Sequence, residues 1–258
     1  MMFVFHNSAR LFTVAFGNGP RTILAHGGWT GSWELWTEPF GIRSKTWRTV
    51  AYDHRGTGAT LAPVESISVG NMVADLFAVM DAMGIDKCVL AAESAGGMAA
   101  VQAILQVPHR FEGLVLVDAL LHREENESDE SFIRALKTDY EAAIESFVNA
   151  CIPETEANCV EIRAWGRKIL LRASSESAAR LIQCTYGIDL HPSLAQIQIP
   201  TLILHGDQDV IVPIQESELI ASRIPISQLH VVKETGHVPT MTRPYEVAEQ
   251  IDRYFSKE

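Results

Sequence analysis

A serine in the stretch Ala-Glu-Ser-Ala-Gly-Gly, residues 92–97, lies between a short apolar run and a segment of small residues. Where a strand turns sharply into a helix, such a serine stands at the edge of a sheet with its hydroxyl exposed. This nucleophile elbow needs small residues two positions before and two after the serine, and Ala92 and Gly96 meet that need. Ser94 is therefore a candidate nucleophile; the alternative is a serine that caps a helix.

A serine hydroxyl is a weak nucleophile until a base takes its proton. His237, in ETGHVP, follows the last predicted strand and would reach the same edge of the sheet as Ser94. A carboxylate must then hold the imidazole in the correct tautomer. We assign this role to Asp209, in HGDQDVIVP after the penultimate predicted strand, with Asp118 as the second candidate and Asp207 as a turn residue. These residues would form a catalytic triad.

Backbone N–H groups would complete an oxyanion hole. Ala95 directly follows the nucleophile and supplies the first donor. The second comes from the early loop AHGGW, residues 25–29, where we choose Gly28 with Trp29 as the fallback, against the alternative of a plain glycine turn. The string DHRGTGAT, residues 53–60, predicts a structural turn in which aspartate and arginine brace one another.

Apolar β-rich runs alternate with helical patterns in the first half of the chain and again near its end. The runs predict strands at residues 11–16, 22–25, 47–52, 87–91, 114–117, 201–204 and 228–232. Apolar residues at helical spacing over 68–84 predict a helix that ends at Gly84. Strands that are apolar on both faces, alternating with helices, indicate a parallel sheet covered by helices.

Residues 119–194 contain no convincing strand pattern. Polar helix-forming stretches predict helices at 130–150, 156–173 and 176–186. We therefore expect a core made of residues 1–118 and 195–258, with residues 119–194 inserted as a helical cap. The acidic run 123–131 is expected to be a solvated loop or a helix start.

Composition excludes several classes of partner. A formal net charge of −11 disfavours nucleic acid and anionic membrane surfaces. The four cysteines have no C-x-x-C spacing, so we expect free thiols, with a Cys151–Cys159 bridge as the minor alternative, and neither a metal nor an organic cofactor. No signal peptide or membrane-spanning run is evident, which favours a cytoplasmic protein. Monomer and dimer both remain open.

Five strings occur in the order HGGW, DHRGTG, AESAGG, HGDQDVIVP and GHVP. Together they resemble the α/β-hydrolase superfamily, in particular its small lidded serine hydrolases, which include esterases, C–C bond hydrolases and cofactor-free haloperoxidases. The resemblance implies a mostly parallel eight-stranded sheet flanked by helices, with a helical cap after the sixth strand. Serine at position 94 disfavours haloalkane dehalogenase and epoxide hydrolase chemistry, and Val238 replaces the lysine that hydroxynitrile lyases carry after the histidine.

The resemblance implies a serine hydrolase that cleaves a small-molecule carboxylic ester with an apolar acyl group through an acyl-enzyme. A C–C bond hydrolase or thioesterase using the same triad is the first alternative, and a low-turnover ligand-binding or signalling protein is the second. Trp29, Leu120 and Val238 are the expected substrate-binding residues. Glu93, next to the nucleophile, is expected to be buried and to brace the loop that carries His237.

Overall fold

An eight-stranded sheet forms the centre of the computed structural model, which describes residues 1–255. The strands, including two very short ones outside this sheet, are β1 (Met2–His6), β2 (Ala9–Phe16), β3 (Arg21–His26), β4 (Trp47–Tyr52), β5 (Cys88–Glu93), β6 (Phe111–Val117), β7 (His122–Arg123), β8 (Ile188–Asp189), β9 (Thr201–Gly206) and β10 (Ser227–Val232). Their order in the sheet is β1-β2-β4-β3-β5-β6-β9-β10, and only β2 runs against its neighbours. The predicted mostly parallel eight-stranded sheet is confirmed.

Residues 1–255 form ten α-helices. They are α1 (Thr37–Arg43), α2 (Val69–Ala82), α3 (Gly96–Gln106), α4 (Glu127–Thr138), α5 (Tyr140–Cys151), α6 (Cys159–Leu170), α7 (Ser175–Gln183), α8 (Ile214–Arg223), α9 (Pro239–Thr242) and α10 (Pro244–Phe255). Four short 3-10 segments lie at Trp33–Trp36, Val64–Ser66, Pro108–Arg110 and His191–Gln196. Within residues 1–255, none of the helices has the length and apolar character that crossing a membrane requires.

The central strands are buried on both faces, as their uniformly apolar sequences predict. Every residue of β5 and of β9 is buried, and two hydrophobic clusters lie on opposite faces of the sheet. Because β3, β5, β6, β9 and β10 are parallel, the loops that follow them meet at one edge of the sheet. The strings singled out in the sequence lie at this edge.

Between β6 and β9 the chain builds four helices, α4 to α7, away from the sheet. The pattern predicted one long helix over 130–150, but the helix ends at Thr138, because the Asp139 carboxylate caps a new helix by accepting the Ala142 N–H at 3.0 Å. The acidic run 123–131 begins α4, as expected. The sequence showed no strand here, yet β7 and β8 pair with each other at the two ends of this segment.

The first strand was also absent from the sequence-based prediction. Residues of β1 alternate only weakly between exposed and buried, and a two-residue turn with Asn7 at φ +48° joins β1 to β2. Asparagine tolerates this left-handed backbone better than most residues. The run MFVFH is therefore an edge strand and not a free terminus.

Candidate active site

Ser94 stands at the tip of the turn that joins β5 to α3. Its backbone is left-handed, at φ +52°. Three backbone hydrogen bonds hold the turn: Ser94 N–H donates to Val117 O at 2.9 Å, and Ser94 O accepts the N–H groups of Gly97 and Leu120 at 3.0 and 3.1 Å. These bonds fix the hydroxyl above the edge of the sheet, as the strand-to-helix pattern predicts.

Close packing explains which small residue this turn requires. A Cβ atom added to Gly96 would lie 2.3 Å from Gly27 O, so only glycine fits where the turn meets the loop after β3. Ala92, two residues before the serine, is fully buried and fits without glycine. Alanine in place of the more usual glycine is thus compatible with the sharp turn.

The side chains of Ser94, His237 and Asp209 form a continuous chain of contacts. His237 Nε2 lies 2.9 Å from Ser94 Oγ, and His237 Nδ1 lies 2.7 Å from Asp209 Oδ2. The other Asp209 oxygen accepts the N–H groups of Ile211 and Val212, at 2.7 and 3.0 Å. Because the carboxylate accepts the Nδ1–H, the Nε2 lone pair faces the serine hydroxyl and can take its proton.

Two glycines let the aspartate loop and the histidine loop touch. An added Cβ at Gly206 would lie 2.1 Å from Gly236 O, and one at Gly236 would lie 2.2 Å from Cys151 O. The His237 N–H donates to that same Cys151 O at 2.8 Å. The loops after β9 and β10 and the end of α5 are therefore in direct backbone contact around the imidazole.

Asp118, the second candidate for the acid, lies behind this chain and not within it. Its Oδ1 accepts the Gly206 N–H at 2.9 Å, and no hydrogen bond joins it to His237 in the part of the chain described. Burial, together with the nearby charge of Asp209, raises the pKa of Asp118 well above its ordinary value. The geometry thus brings Asp209, and not Asp118, to the imidazole.

The loop after β3 lies against the nucleophile. An added Cβ at Gly28 would be 3.2 Å from Ser94 Cβ, so the Gly28 backbone passes directly beside the serine. Within residues 1–255 the N–H groups of Gly28 and Ala95 donate to no protein acceptor. Two such free donors beside a hydroxyl are what an oxyanion hole requires.

Two stacked histidines lie next to the loop after β3, and one of them contacts its backbone. The rings of His26 and His54 are 4.8 Å apart, and His54 Nε2 lies 2.9 Å from Gly28 O. Burial lowers the pKa of His26 to about 3 and the pKa of His54 below its ordinary value. Both rings are therefore neutral near pH 7, and a neutral His54 can donate one proton to the Gly28 carbonyl.

The residues of DHRGTGAT have a structural role, but their partners differ from those expected. Arg55 pairs with Asp75 of α2, at 2.6 and 2.9 Å, and does not pair with Asp53. Asp53 accepts backbone N–H groups of Trp33 and Ala59, at 2.8 and 2.7 Å. The structural role holds, but the internal Asp53–Arg55 brace was wrong because α2 presents a buried carboxylate that sequence spacing does not reveal.

An apolar cavity extends from Ser94 under the helices of residues 119–194. Its walls include Trp29, Val238 and, from the helices, Phe147, Val148, Ile152 and Leu170. Leu120 lies with Trp29 and Phe132 around a second, outer opening beside Ser94. Trp29 donates its indole N–H to Ala178 O at 2.8 Å, which ties the loop after β3 to α7. The three predicted pocket residues therefore all border the space around Ser94.

Sequence reasoning missed a buried ion pair that holds the histidine loop. Glu156 accepts the Gly236 N–H at 2.9 Å and pairs with Arg243 at 3.1 Å. The glutamate belongs to the helical segment and the arginine follows α9. No motif marks either residue, because their contact depends on how the segment folds back over the sheet.

Glu93 is buried beneath the nucleophile, as the sequence predicts. Its Oε1 accepts the Thr240 hydroxyl at 3.1 Å, three residues after His237, and its Oε2 has no protein partner among residues 1–255. Burial raises the pKa of Glu93 to about 7, although the nearby His237 opposes this rise. The carboxyl therefore braces the helix that follows the histidine.

We expect Glu93→Gln to stabilise the protein at pH 8 relative to the wild type, by up to about 3 kcal/mol. Unfolded Glu93 loses its proton near pH 4.5 but the folded group holds it to about 7, so the wild type loses stability as pH rises through this window. Glutamine keeps the acceptor for Thr240 and has no charge to bury. Urea unfolding at pH 5 and pH 8 measures the difference.

The exposed Glu218→Gln variant is the control, and its stability should follow the wild type at both pH values. A Glu93→Gln variant whose stability difference is the same at pH 5 and pH 8 would contradict the buried-carboxyl interpretation.

Known proteins resemble this chain along most of its length. A Caulobacter segnis protein that bears the name "Putative carbamate hydrolase RutD" is 26% identical, with 88% of each chain covered. The pimeloyl-[acyl-carrier protein] methyl ester esterase of Nitrosomonas europaea is also 26% identical, over 88% of this chain and 92% of that protein. A thermophilic esterase from Thermogutta terrifontis superposes with a TM-score of 0.89 at 25% identity, covering 96% of this chain and 94% of the other.

Residues 22–250 match the model of the alpha/beta hydrolase family, which spans the sheet from β3 onward, all four helices between β6 and β9, and the loops around Ser94. The turn at the end of β5 and the loops after β9 and β10 fall within this match, whereas β1 and β2 lie before it. The chain is a hydrolase that belongs to the alpha/beta hydrolase family.

Proposed function

We propose that the protein cleaves carboxylic esters with an apolar acyl group through a covalent acyl-enzyme. Ser94 is the nucleophile, His237 the base and Asp209 the residue that orients the base. The observation that carries this proposal is the chain of 2.9 and 2.7 Å contacts from Ser94 through His237 to Asp209, at the inner end of an apolar cavity. Hydrolysis can also proceed without a nucleophilic side chain, so it is the contact between Ser94 and His237 that supports a covalent intermediate.

In the first half of the reaction, His237 Nε2 takes the hydroxyl proton as Ser94 Oγ forms a bond to the ester carbonyl carbon. The carbonyl oxygen becomes an oxyanion, which accepts hydrogen bonds from the N–H groups of Gly28 and Ala95. Losing one such donor typically costs about 3 kcal/mol of transition-state stabilisation. The imidazolium, held by Asp209, then protonates the leaving alkoxide as the C–O bond breaks.

In the second half, water attacks the acyl carbonyl and His237 takes a proton from it. Collapse of the second tetrahedral intermediate breaks the bond to Ser94 Oγ, which regains its proton from the imidazolium. The carboxylic acid product then leaves. Every proton in both halves passes through one nitrogen, Nε2, because Asp209 occupies the other.

We further propose that residues 119–194 form a cap that supplies the acyl pocket, on a core of residues 1–118 and 195–258. Trp29 and Val238 contribute the core side of the pocket, and Leu120 lies at its outer opening. The walls near Ser94 are apolar, and the buried carboxyl of Glu93 disfavours an anionic acyl group. This supports an apolar, uncharged acyl group.

The decisive experiment is a rate screen with p-nitrophenyl esters from acetate to dodecanoate. We expect turnover to peak at one chain length and fall on either side, and a burst of p-nitrophenol to equal the enzyme concentration where deacylation is slow. A thioester, a carbamate and a meta-cleavage diketone form the other arms of the screen. Faster turnover of the diketone than of every ester would replace the ester proposal with C–C bond hydrolysis.

A further inference from the structure

A group of histidine and aspartate side chains lies at the base of the helical segment, at a different place from the loops around Ser94. His122 is in β7, Asp189 is its partner in β8, and His191 begins the 3-10 segment that follows. One nitrogen or oxygen atom of each residue lies within 4.8 Å of those of the other two. The group joins the beginning and the end of residues 119–194.

The distances within the group match those between the ligands of a tetrahedral metal ion. Asp189 Oδ1 lies 3.4 Å from His122 Nδ1 and 3.3 Å from His191 Nδ1. Zinc binds such atoms at about 2.0–2.1 Å, and the corners of a tetrahedron of this size are about 3.3–3.4 Å apart. Two edges of the tetrahedron are thus already formed.

A carboxylate outside the group orients one of the histidines. His191 Nε2 lies 2.9 Å from Glu216 Oε1, and that same oxygen accepts the Leu121 N–H at 3.1 Å. A histidine that donates its Nε2 proton to Glu216 presents the lone pair of Nδ1 to Asp189 Oδ1. Metal-binding histidines commonly have this carboxylate partner behind them, because it fixes the tautomer and the ring orientation.

The other histidine nitrogen has no partner of its own. His122 Nδ1 is a buried atom without a hydrogen bond among residues 1–255, although its side chain as a whole is 36% exposed. The two imidazole rings are stacked, with 5.6 Å between their centroids and 8° between their planes. His122 Nδ1 and Asp189 Oδ1 face each other at 3.4 Å without a well-formed hydrogen bond, and a cation between them would give both atoms a strong partner.

A second group of potential ligands, formed by Asp118, His205 and Asp209, lacks such a free nitrogen. Both nitrogens of His205 already have partners, at Ser217 Oγ (2.8 Å) and Val212 O (3.1 Å). The group is also fully buried next to the carboxylate that contacts His237. Of the two groups, the one at β7 and β8 is therefore the better candidate for a metal site.

We propose that His122 Nδ1, Asp189 Oδ1 and His191 Nδ1 bind a divalent transition-metal ion of the zinc type, with water as the fourth ligand. The two imidazoles and one carboxylate favour this class over calcium or magnesium, which prefer oxygen ligands. The ion would cross-link the two ends of residues 119–194 and, through Glu216, connect them to α8. Its role is to hold the base of this segment, and it is independent of the chemistry at Ser94.

The test is isothermal titration calorimetry of the chelator-treated full-length protein with ZnCl₂. We expect one Zn²⁺ per chain, a rise in melting temperature with added Zn²⁺, and strong visible absorption bands of tetrahedral Co²⁺ when cobalt replaces zinc. His122→Ala and Asp189→Asn should abolish all three effects. Glu216→Gln should keep the stoichiometry and weaken affinity about 10- to 100-fold, since glutamine orients His191 less firmly.

The matched control is His230→Ala, which removes a half-buried histidine that pairs with a single carboxylate, Glu246, at 2.7 Å. It should bind Zn²⁺ like the wild type. No binding to the wild type, or equal binding to His122→Ala and Asp189→Asn, overturns the proposal. Asp189 is an exposed residue and asparagine has its shape, so this variant keeps the test meaningful if His122→Ala misfolds.

Discussion

Ser94→Ala is expected to lower kcat on the best ester of the screen by roughly 10⁵- to 10⁶-fold. Without the hydroxyl no acyl-enzyme forms, and His237 Nε2 can deprotonate only water. The remaining rate comes from the N–H groups of Gly28 and Ala95, which still polarise the carbonyl. Steady-state kinetics, together with loss of the p-nitrophenol burst, measure the effect.

Ser128→Ala is the matched control, because Ser128 borders the outer opening beside Ser94 but has no contact with His237. We expect its kcat to stay within about twofold of the wild type, since a surface substitution of this kind disturbs little. A Ser94→Ala variant that kept a tenth of the wild-type rate would refute the acyl-enzyme mechanism. Equal loss in both variants would point to damage at the opening and not to a lost nucleophile.

The second large effect is expected at Asp209, where Asp209→Asn should reduce kcat about 10⁴-fold. An asparagine can turn its NH₂ group toward His237 Nδ1, which then accepts a hydrogen bond, so that the imidazole proton lies on Nε2. That tautomer cannot take the proton of Ser94. The backbone N–H groups of Ile211 and Val212 still find an oxygen acceptor, so the loop should keep its shape.

Asp118→Asn provides the comparison, and we expect it to change kcat less than about tenfold. Burial raises the pKa of Asp118 well above its ordinary value, and asparagine keeps the oxygen that accepts the Gly206 N–H. Asparagine also tolerates the left-handed backbone at this position, φ +45°. Measuring kcat and melting temperature for both variants separates them: if Asp118→Asn alone were inactive, the acid of the triad would be misassigned.

Most of the site around Ser94 could be predicted from sequence because its residues lie in short loops directly after buried strands. Ser94, Asp209 and His237 each follow a run whose apolar pattern fixes the strand, and the parallel arrangement brings the strand ends together. The fold then leaves little freedom in where those side chains meet. The same reasoning places Gly28 and Ala95 beside the serine.

Contacts between segments far apart in sequence could not be predicted in this way. Glu156 reaches Gly236 and Arg243 only after the helical segment has folded over the sheet. Arg55 pairs with Asp75 of α2, whereas the sequence pattern predicted a pair with the nearer Asp53. The edge strand β1 escaped because a half-exposed strand shows neither the strong alternation nor the continuous apolar run of a central strand.

The left-handed backbone of Ser94 has a consequence for how this protein can evolve. A non-glycine residue at φ +52° costs on the order of 1 kcal/mol, which glycine would recover. Ser94→Gly would therefore raise the free energy of unfolding while removing the proposed nucleophilic oxygen. If Ser94 is the proposed nucleophile, stability and turnover therefore make opposite demands on the residue at position 94.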